Sequence, residues 1–405
     1  MSAGSAMGKA MLNEIDIENF RSIEKATVEL GPLTILFGPT ASGKSSLIYA
    51  LLVLRNFILN SNQTADGFFN LHFMSLGGFD DCVFGHEKSR TVRLAATASY
   101  AEGSSRYELG LCKSSATVQL EVGKASLRGL VDIPYPINQT FTETYIEGQH
   151  RFVVNWNAIA CTVSPDSPTA ESQAMAGQLA SRFNRITEQI KAIDVAPHRR
   201  GFFKASYTPS SVTHTPVSED EVATLIINDP HMAPKISEYA EAILRRDFRL
   251  YIPPGTATVF FQSTDKDARV PGLLVNDGFG VNQIIYLLAK MLRPEVRTLL
   301  IEEPEVHLHP SVLRKFAREV CTLVTKERKQ IILTTHSEQF VSSVLAAVSE
   351  GHFGPEGLKC YLVTKKDSQT TFEAQNVNEK GQIDGGLASF VEAELEDLKR
   401  MIGIG

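Results

Sequence analysis

Apolar positions recur along this chain with three different periods, and each period predicts a different kind of element. Continuous apolar runs at Leu33–Phe37, 298–301, Gln330–Thr335 and 359–364 predict strands covered on both faces. Between them, apolar residues fall at three- and four-residue spacing. Leu47, Ala50, Leu51, Leu54 and Ile58 make one such stripe, and Val281, Ile284, Ile285, Leu288, Met291 and Leu292 make another. Leu313, Phe316, Ala317, Val320 and Val324 make a third, and 338–348 continues the pattern. Buried strands alternating with helices predict an α/β fold around a parallel sheet.

The middle of the chain reads differently. From about 91 to 163 the period drops to two, as in Val92, Leu94 and Ala96 or Val118, Leu120 and Val122. Antiparallel strands joined by Gly, Ser and Lys turns are expected there. Leu179, Phe183, Ile186, Ile190 and Ile193 form a heptad-like stripe of only about two heptads, which predicts a helix packed on the β lobe rather than a coiled-coil arm. Ile236, Tyr239, Ala240, Ile243 and Phe248 predict a further helix, and 256–261 a strand. Strands are also expected at 11–17 and 26–30. The resulting division is a core split between 11–90 and 270–375, an inserted β and helical lobe at 91–269, and a C-terminal helix at 376–405.

Composition narrows the partners. The chain has 405 residues, 43% hydrophobic and 21% charged, with a net charge of −6. Such a balance gives no global attraction for nucleic acid. The five cysteines are far apart and include no C-x-x-C pair, which fits a reducing cytosol rather than a disulfide framework. No run is long and apolar enough to span a membrane, and residues 1–10 lack the apolar segment of a signal peptide.

Candidate chemistry begins at Gly38-Pro39-Thr40-Ala41-Ser42-Gly43-Lys44-Ser45, which fits G-x-x-x-x-G-K-[ST] without a gap. The predicted strand before it and helix after it are the context that a phosphate-binding loop requires. Its two glycines let backbone N–H groups turn inward, and the positive end of the helix adds to their pull on an anion. Lys44 is expected to reach the β- and γ-phosphates of ATP, and Ser45 to join the Mg²⁺ shell. The nucleotide-binding set runs from Gly38 to Ser46.

A second half of the site follows from the strand at 298–301, which ends in Glu302-Glu303-Pro304-Glu305. Carboxylates at the C-terminal end of a strand beside the phosphate loop can hold Mg²⁺ and polarise water. Glu302 is assigned to the metal and Glu303 to the general base. His336, after Gln330–Thr335, reaches the same sheet edge and is placed as a sensor of the γ-phosphate.

Taken in order, Asn19-Phe20-Arg21-Ser22-Ile23, the phosphate loop, Asp277-Gly278-Phe279-Gly280-Val281-Asn282-Gln283, Ile301 to Pro310 and Thr335-His336-Ser337 resemble ABC-class ATPases. More closely, the chain is similar to the AAA-type ABC ATPases of the OLD, RecF and SMC group. The resemblance covers both ends and leaves the inserted lobe unmatched. It implies a P-loop ATPase head in which Arg21 approaches the nucleotide, His336 acts as the switch, and Gly278, Gly280, Asn282 and Gln283 contact a second subunit's ATP. Gly280 and Asn282 stand where that family's signature has Ser and Gly. Asp80 or Asp81 is the candidate for the glutamine of the Q-loop.

The resemblance further implies an ATP-dependent homodimer that acts on a separate effector protein, in a setting such as defence against phage. The alternative is a RecF-like DNA-binding repair ATPase, which a basic groove would favour; Arg199-Arg200 and Arg245-Arg246 are the visible basic pairs. A transporter ATPase is disfavoured by the long insert.

Overall fold

The computed structural model describes residues 11–134, 139–267 and 269–383, which fall into two compact units. One unit comprises 11–30, 45–193 and 365–371, and the other 31–44, 194–364 and 372–383.

The chain starts with the hairpin β1 (Leu12–Phe20) and β2 (Ile23–Glu29), then β3 (Leu33–Phe37), and α1 (Lys44–Leu59) follows the phosphate loop. The expected loop at 68–86 contains a short α-helical turn, α2 (Phe79–Cys82), followed by a 3-10 turn at Phe84–His86. Next come β4 (Val92–Tyr100), β5 (Gly103–Leu111), β6 (Ser115–Val122) and β7 (Ala125–Asp132). Their alternating burial leaves one face to the core, as with Ala116, Val118, Leu120 and Val122 on β6. The six strands form one sheet in the order β2-β1-β4-β5-β6-β7. The lobe expected to start near 91 is therefore continuous with the first hairpin, because β4 pairs with β1 through Ile15↔Ala96 and Ile17↔Leu94. An antiparallel hairpin leaves the outer edge of each strand open, and β4 fills that of β1. Boundaries at 91 and 269 thus do not coincide with those of the two units.

A smaller sheet of β8 (Phe141–Glu147), β9 (His150–Trp156) and β10 (Cys161–Pro165) follows, in the order β10-β9-β8. The heptad-like stripe lies on α3 (Ala170–Lys191), whose Ala176 and Leu179 pack with Phe152. Asn184 fastens α3 to β10 by accepting from the Cys161 N–H at 2.7 Å and donating to its carbonyl at 2.8 Å. Ile193 leaves the helix and opens β11 (Ile193–Ala196) instead.

In the second unit α4 (Glu219–Asn228) and α5 (Met232–Leu244) precede a meander of β12 (Arg246–Tyr251), β13 (Phe260–Asp265) and β14 (Pro271–Leu273). Phe248 belongs to β12 rather than to the helix expected there. The remaining elements are α6 (Phe279–Met291), β15 (Thr298–Glu302), α7 (Pro310–Lys326), β16 (Gln330–Thr335), α8 (Glu338–Ser349), β17 (Leu358–Lys366) and β18 (Gln369–Gln375). The central sheet has the order β11-β15-β16-β3-β17-β18, with β15, β16, β3 and β17 parallel. Every residue of β3, β15 and β16 is buried, as helices on both faces of a parallel sheet require. This is an α/β architecture around a parallel sheet, as the sequence pattern predicts. The helix expected at 376–405 is absent over 376–383, where Val377 and Ile383 form an isolated bridge; 384–405 lie outside the described residues.

One charged cluster lies inside the second unit. Asp194 on β11 places its Oδ2 2.7 Å from Lys290 Nζ and 2.5 Å from Arg293 Nη1. All three side chains are more than nine-tenths buried; the carboxylate balances Lys290 and shares Arg293 with the exposed Glu295. Asp194→Ala is expected to cost about 3–5 kcal/mol, the scale for stripping a partner from a buried ion pair. A denaturant midpoint equal to that of the parent chain would contradict this.

Candidate functional site

Register brings the candidate residues together. β15 pairs with β16 through Glu302↔Thr334, and β16 pairs with β3 through Thr335↔Phe37. Three parallel strands thus end level, and Glu302, His336 and Gly38 leave the sheet at one edge. This is where open α/β sheets place ligands.

At Gly38 the backbone takes φ 141°, and a Cβ would lie 2.2 Å from the Val363 carbonyl oxygen. Only glycine fits that turn. Lys44, at the start of α1, folds back over the loop, and its Nζ donates to the carbonyls of Gly38 at 3.0 Å and Pro39 at 2.7 Å. Burial pulls the Lys44 ammonium down to about 8, against the opposing pull of Glu303 and Glu305. Ser45 and Ser46 follow in the first turn of α1.

The same ammonium lies 3.4 Å from His336 Nδ1, and His336 Nε2 lies 3.0 Å from Glu303 Oε1. An ionised carboxylate only accepts, so Nε2 carries the proton and Nδ1 accepts from Lys44. The result is a relay from Lys44 through His336 to Glu303. Glu305 anchors its middle member, accepting the backbone N–H of His336 at 2.5 Å. Glu302 is buried at the end of β15, with its Oε2 3.8 Å from His198 Nδ1. Glu303 adopts φ 44°, in the left-handed region that a glutamate avoids.

Arg200 holds that conformation. Its guanidinium donates to the carbonyls of Pro197 at 2.7 Å, Glu302 at 2.6 Å and Glu303 at 2.7 Å, and to Gln283 Oε1 at 3.5 Å. Burial lowers it to about 10. In the sequence Arg200 counts only as half of a basic pair in a loop. The signal that could have singled it out is its position four residues past the short buried strand Ile193–Ala196.

Other expected residues stand elsewhere. Asn282 and Gln283 are buried, and Asn282 Nδ2 donates to the carbonyls of Leu274, Asp277 and Gly278. Within this chain the two side chains are thus engaged locally, and Gly278 and Phe279 are the exposed members of the segment. Gly280 meets the chain closely, since a Cβ there would lie 2.9 Å from the His307 carbonyl. Phe279 is 61% exposed and Phe203 52%, with ring centroids 6.0 Å apart, and His307 lies 5.4 Å from Phe279. In the other unit, Arg21 occupies the turn between β1 and β2 at φ 54°, with its guanidinium 5.1 Å from the centre of the Tyr49 ring. Asp80 is bound by Lys88 and Lys113, each at 2.7 Å, and Asp81 accepts from the Gly78 N–H. Asp80 is thus engaged by two lysines, whereas Asp81 is exposed.

A family model described as an AAA ATPase domain matches residues 11–93 and 175–341 of this chain. The chain belongs to that family. As an AAA ATPase domain, it is of a class that binds ATP. An OLD nuclease from Thermus scotoductus is 23% identical over 348 residues, covering 82% of this chain and 60% of the relative. The Old nuclease of Escherichia phage P2 is 23% identical over 400 residues, covering 91% of this chain and 61% of the relative. The chain spans about three fifths of the length of these curated relatives. Among solved structures, the SMC head domain from Thermotoga maritima has a TM-score of 0.46 at 9% identity, covering 90% of this chain and 98% of that one. An Smc head bound to the C-winged helix domain of ScpA has a TM-score of 0.49 at 12% identity, covering 91% and 98%. No helix among the described residues is long and apolar enough to cross a membrane.

The lowered Lys44 makes phosphate binding depend on pH. Below about 8 the ammonium is charged in the free protein; above it, an arriving phosphate must be matched by proton uptake. ATP affinity is expected to weaken above pH 8 by up to about tenfold per unit, until the pKa in the complex is reached. Calorimetry in two buffers of different ionisation enthalpy measures that uptake; buffer-independent heats at pH 9 would count against it.

Proposed function

We propose that this AAA ATPase domain hydrolyses ATP and works as a dimeric switch on a separate effector. The observation that carries the reading is the relay from Lys44 through His336 to Glu303 at the level ends of three parallel strands. In this reading the phosphates of ATP take the Lys44 ammonium from the carbonyls of Gly38 and Pro39. Glu303 accepts a proton from water as the water oxygen bonds to the γ-phosphorus. The bond from that phosphorus to the bridging oxygen breaks, and ADP leaves with the electron pair. His336 Nε2–H turns from Glu303 to a γ-phosphate oxygen and so reports whether that phosphate is present. Ser45 and Glu302 offer the hard oxygen donors that Mg²⁺ takes, and the bound ion would offset phosphate charge.

The dimer reading rests on the exposed Phe279 and Phe203 near Gly278, an apolar patch that a second copy could cover, with the start of α6 offering its N–H groups to ATP. The effector reading follows from chemistry. The acidic residues that converge here, Glu302, Glu303 and Glu305, all belong to the nucleotide site, so the work of the switch passes through a surface. Control of an effector in defence against phage is the setting that similarity to the OLD group suggests.

Glu303→Gln is expected to retain ATP binding while kcat falls about 10²–10⁴-fold. ATP with Mg²⁺ is expected to double the mass of this variant in light scattering, whereas Lys44→Ala loses binding. Turnover at the parent rate in Glu303→Gln would remove the assigned base, and a mass that ignores ATP would remove gated dimerisation.

Arg200 acts in this scheme as a positioning residue for Glu303. Arg200→Lys keeps the charge but loses the planar fork that spans several carbonyls. Its kcat is expected to drop by about 10²-fold, the scale for displacing a catalytic group by an ångström, with KM for ATP little changed. A purely structural role would lower the melting temperature and leave kcat per folded molecule intact.

A further inference from the structure

Helices α7 and α8 lie side by side, and a groove of about 690 Å³ opens between them. Arg314, Lys315 and Arg318 line it, with Ser311, Gln339 and Ser342 as further polar groups, and Glu338 is its single carboxylate. Arg318 is paired with Glu350 at 2.6 Å, whereas Arg314 and Lys315 have no hydrogen-bond or ion-pair partner among the described residues.

With Arg318 neutralised by Glu350, the groove keeps two uncompensated cations, Arg314 and Lys315, against the one carboxylate of Glu338. A concave surface with net positive charge raises the local concentration of anions.

We propose that the groove binds a compact polyphosphate ligand, of nucleotide size, at a site separate from the phosphate loop. The volume falls in the range of small-molecule sites, about 300–1,000 Å³. The cations span one turn, about 6 Å, which matches two or three linked phosphates rather than the long track that a nucleic-acid strand needs. The hydroxyls of Ser311 and Ser342 and the amide of Gln339 add neutral donors. Because α8 begins two residues after His336, the ligand would border the segment that leads to the relay. The binding itself requires nothing of the nucleotide site.

The test uses inorganic tripolyphosphate titrated calorimetrically into the full chain carrying Lys44→Ala, which weakens the phosphate loop. One site per chain is expected. Adding Arg314→Ala and Lys315→Ala should weaken it at least about tenfold, the loss expected for charge-assisted hydrogen bonds, while adding Lys365→Ala and Lys366→Ala should not. Both target side chains are exposed, and a thermal melt confirms that the variants fold. Absence of binding, or binding indifferent to the Arg314 and Lys315 changes, would overturn the proposal. So would affinity for a single-stranded oligonucleotide that grows with its length, because the groove would then be part of a nucleic-acid track.

Discussion

Everything at the candidate site depends on three parallel strands ending level. When β15, β16 and β3 stop at the same height, their backbones turn away together, and carbonyls that the sheet no longer pairs are left in a buried place. A single guanidinium meets that demand. Arg200 covers the carbonyls of Glu302 and Glu303 as well as that of Pro197 in its own loop. A lysine has the charge but not the planar spread of donors, and a neutral side chain has neither.

The same loop is held by α6 along one of its faces. Gln283, Tyr286 and Lys290 are spaced by three and four residues, so they line up along the helix. Gln283 accepts from Arg200, Tyr286 donates its hydroxyl proton to the Val217 carbonyl at 2.8 Å, and Lys290 donates to the Pro216 carbonyl at 2.5 Å. Asp194 then joins Lys290 to β11, the edge strand of the sheet. The segment that begins at Gly278 and the carboxylates that end β15 are thereby parts of one braced body. Movement at the exposed start of α6 has a short polar path to the backbone of Glu303.

Much of the site was legible in the sequence because its signals are local. The phosphate loop is eight consecutive residues, the carboxylates begin at the last residue of the strand Thr298–Glu302, and His336 follows another strand. What the sequence hid is long-range. The pairing of β4 with β1 depends on an open edge that no local pattern records, so the middle strands looked like an insert. Arg200 looked like a solvated charge because two of its acceptors, the carbonyls of Glu302 and Glu303, lie about a hundred positions away. Asn282 and Gln283 looked available because a family pattern gives residue types but not the direction of a side chain. Asp80 looked open because its partners, Lys88 and Lys113, come from separate turns of the chain.

The left-handed backbone of Glu303 has a consequence for how this chain could change over generations. A glutamate at φ 44° is held against its own preference, at a cost on the order of 1–3 kcal/mol. Glycine would adopt the same turn freely, so substitution to glycine there relaxes the protein while deleting its carboxylate. Selection for robustness alone would drift toward that exchange. A lineage that keeps a strained glutamate is therefore under continuing pressure to keep the acid, and relaxed descendants that trade it for glycine or asparagine would mark the loss of whatever the carboxylate does.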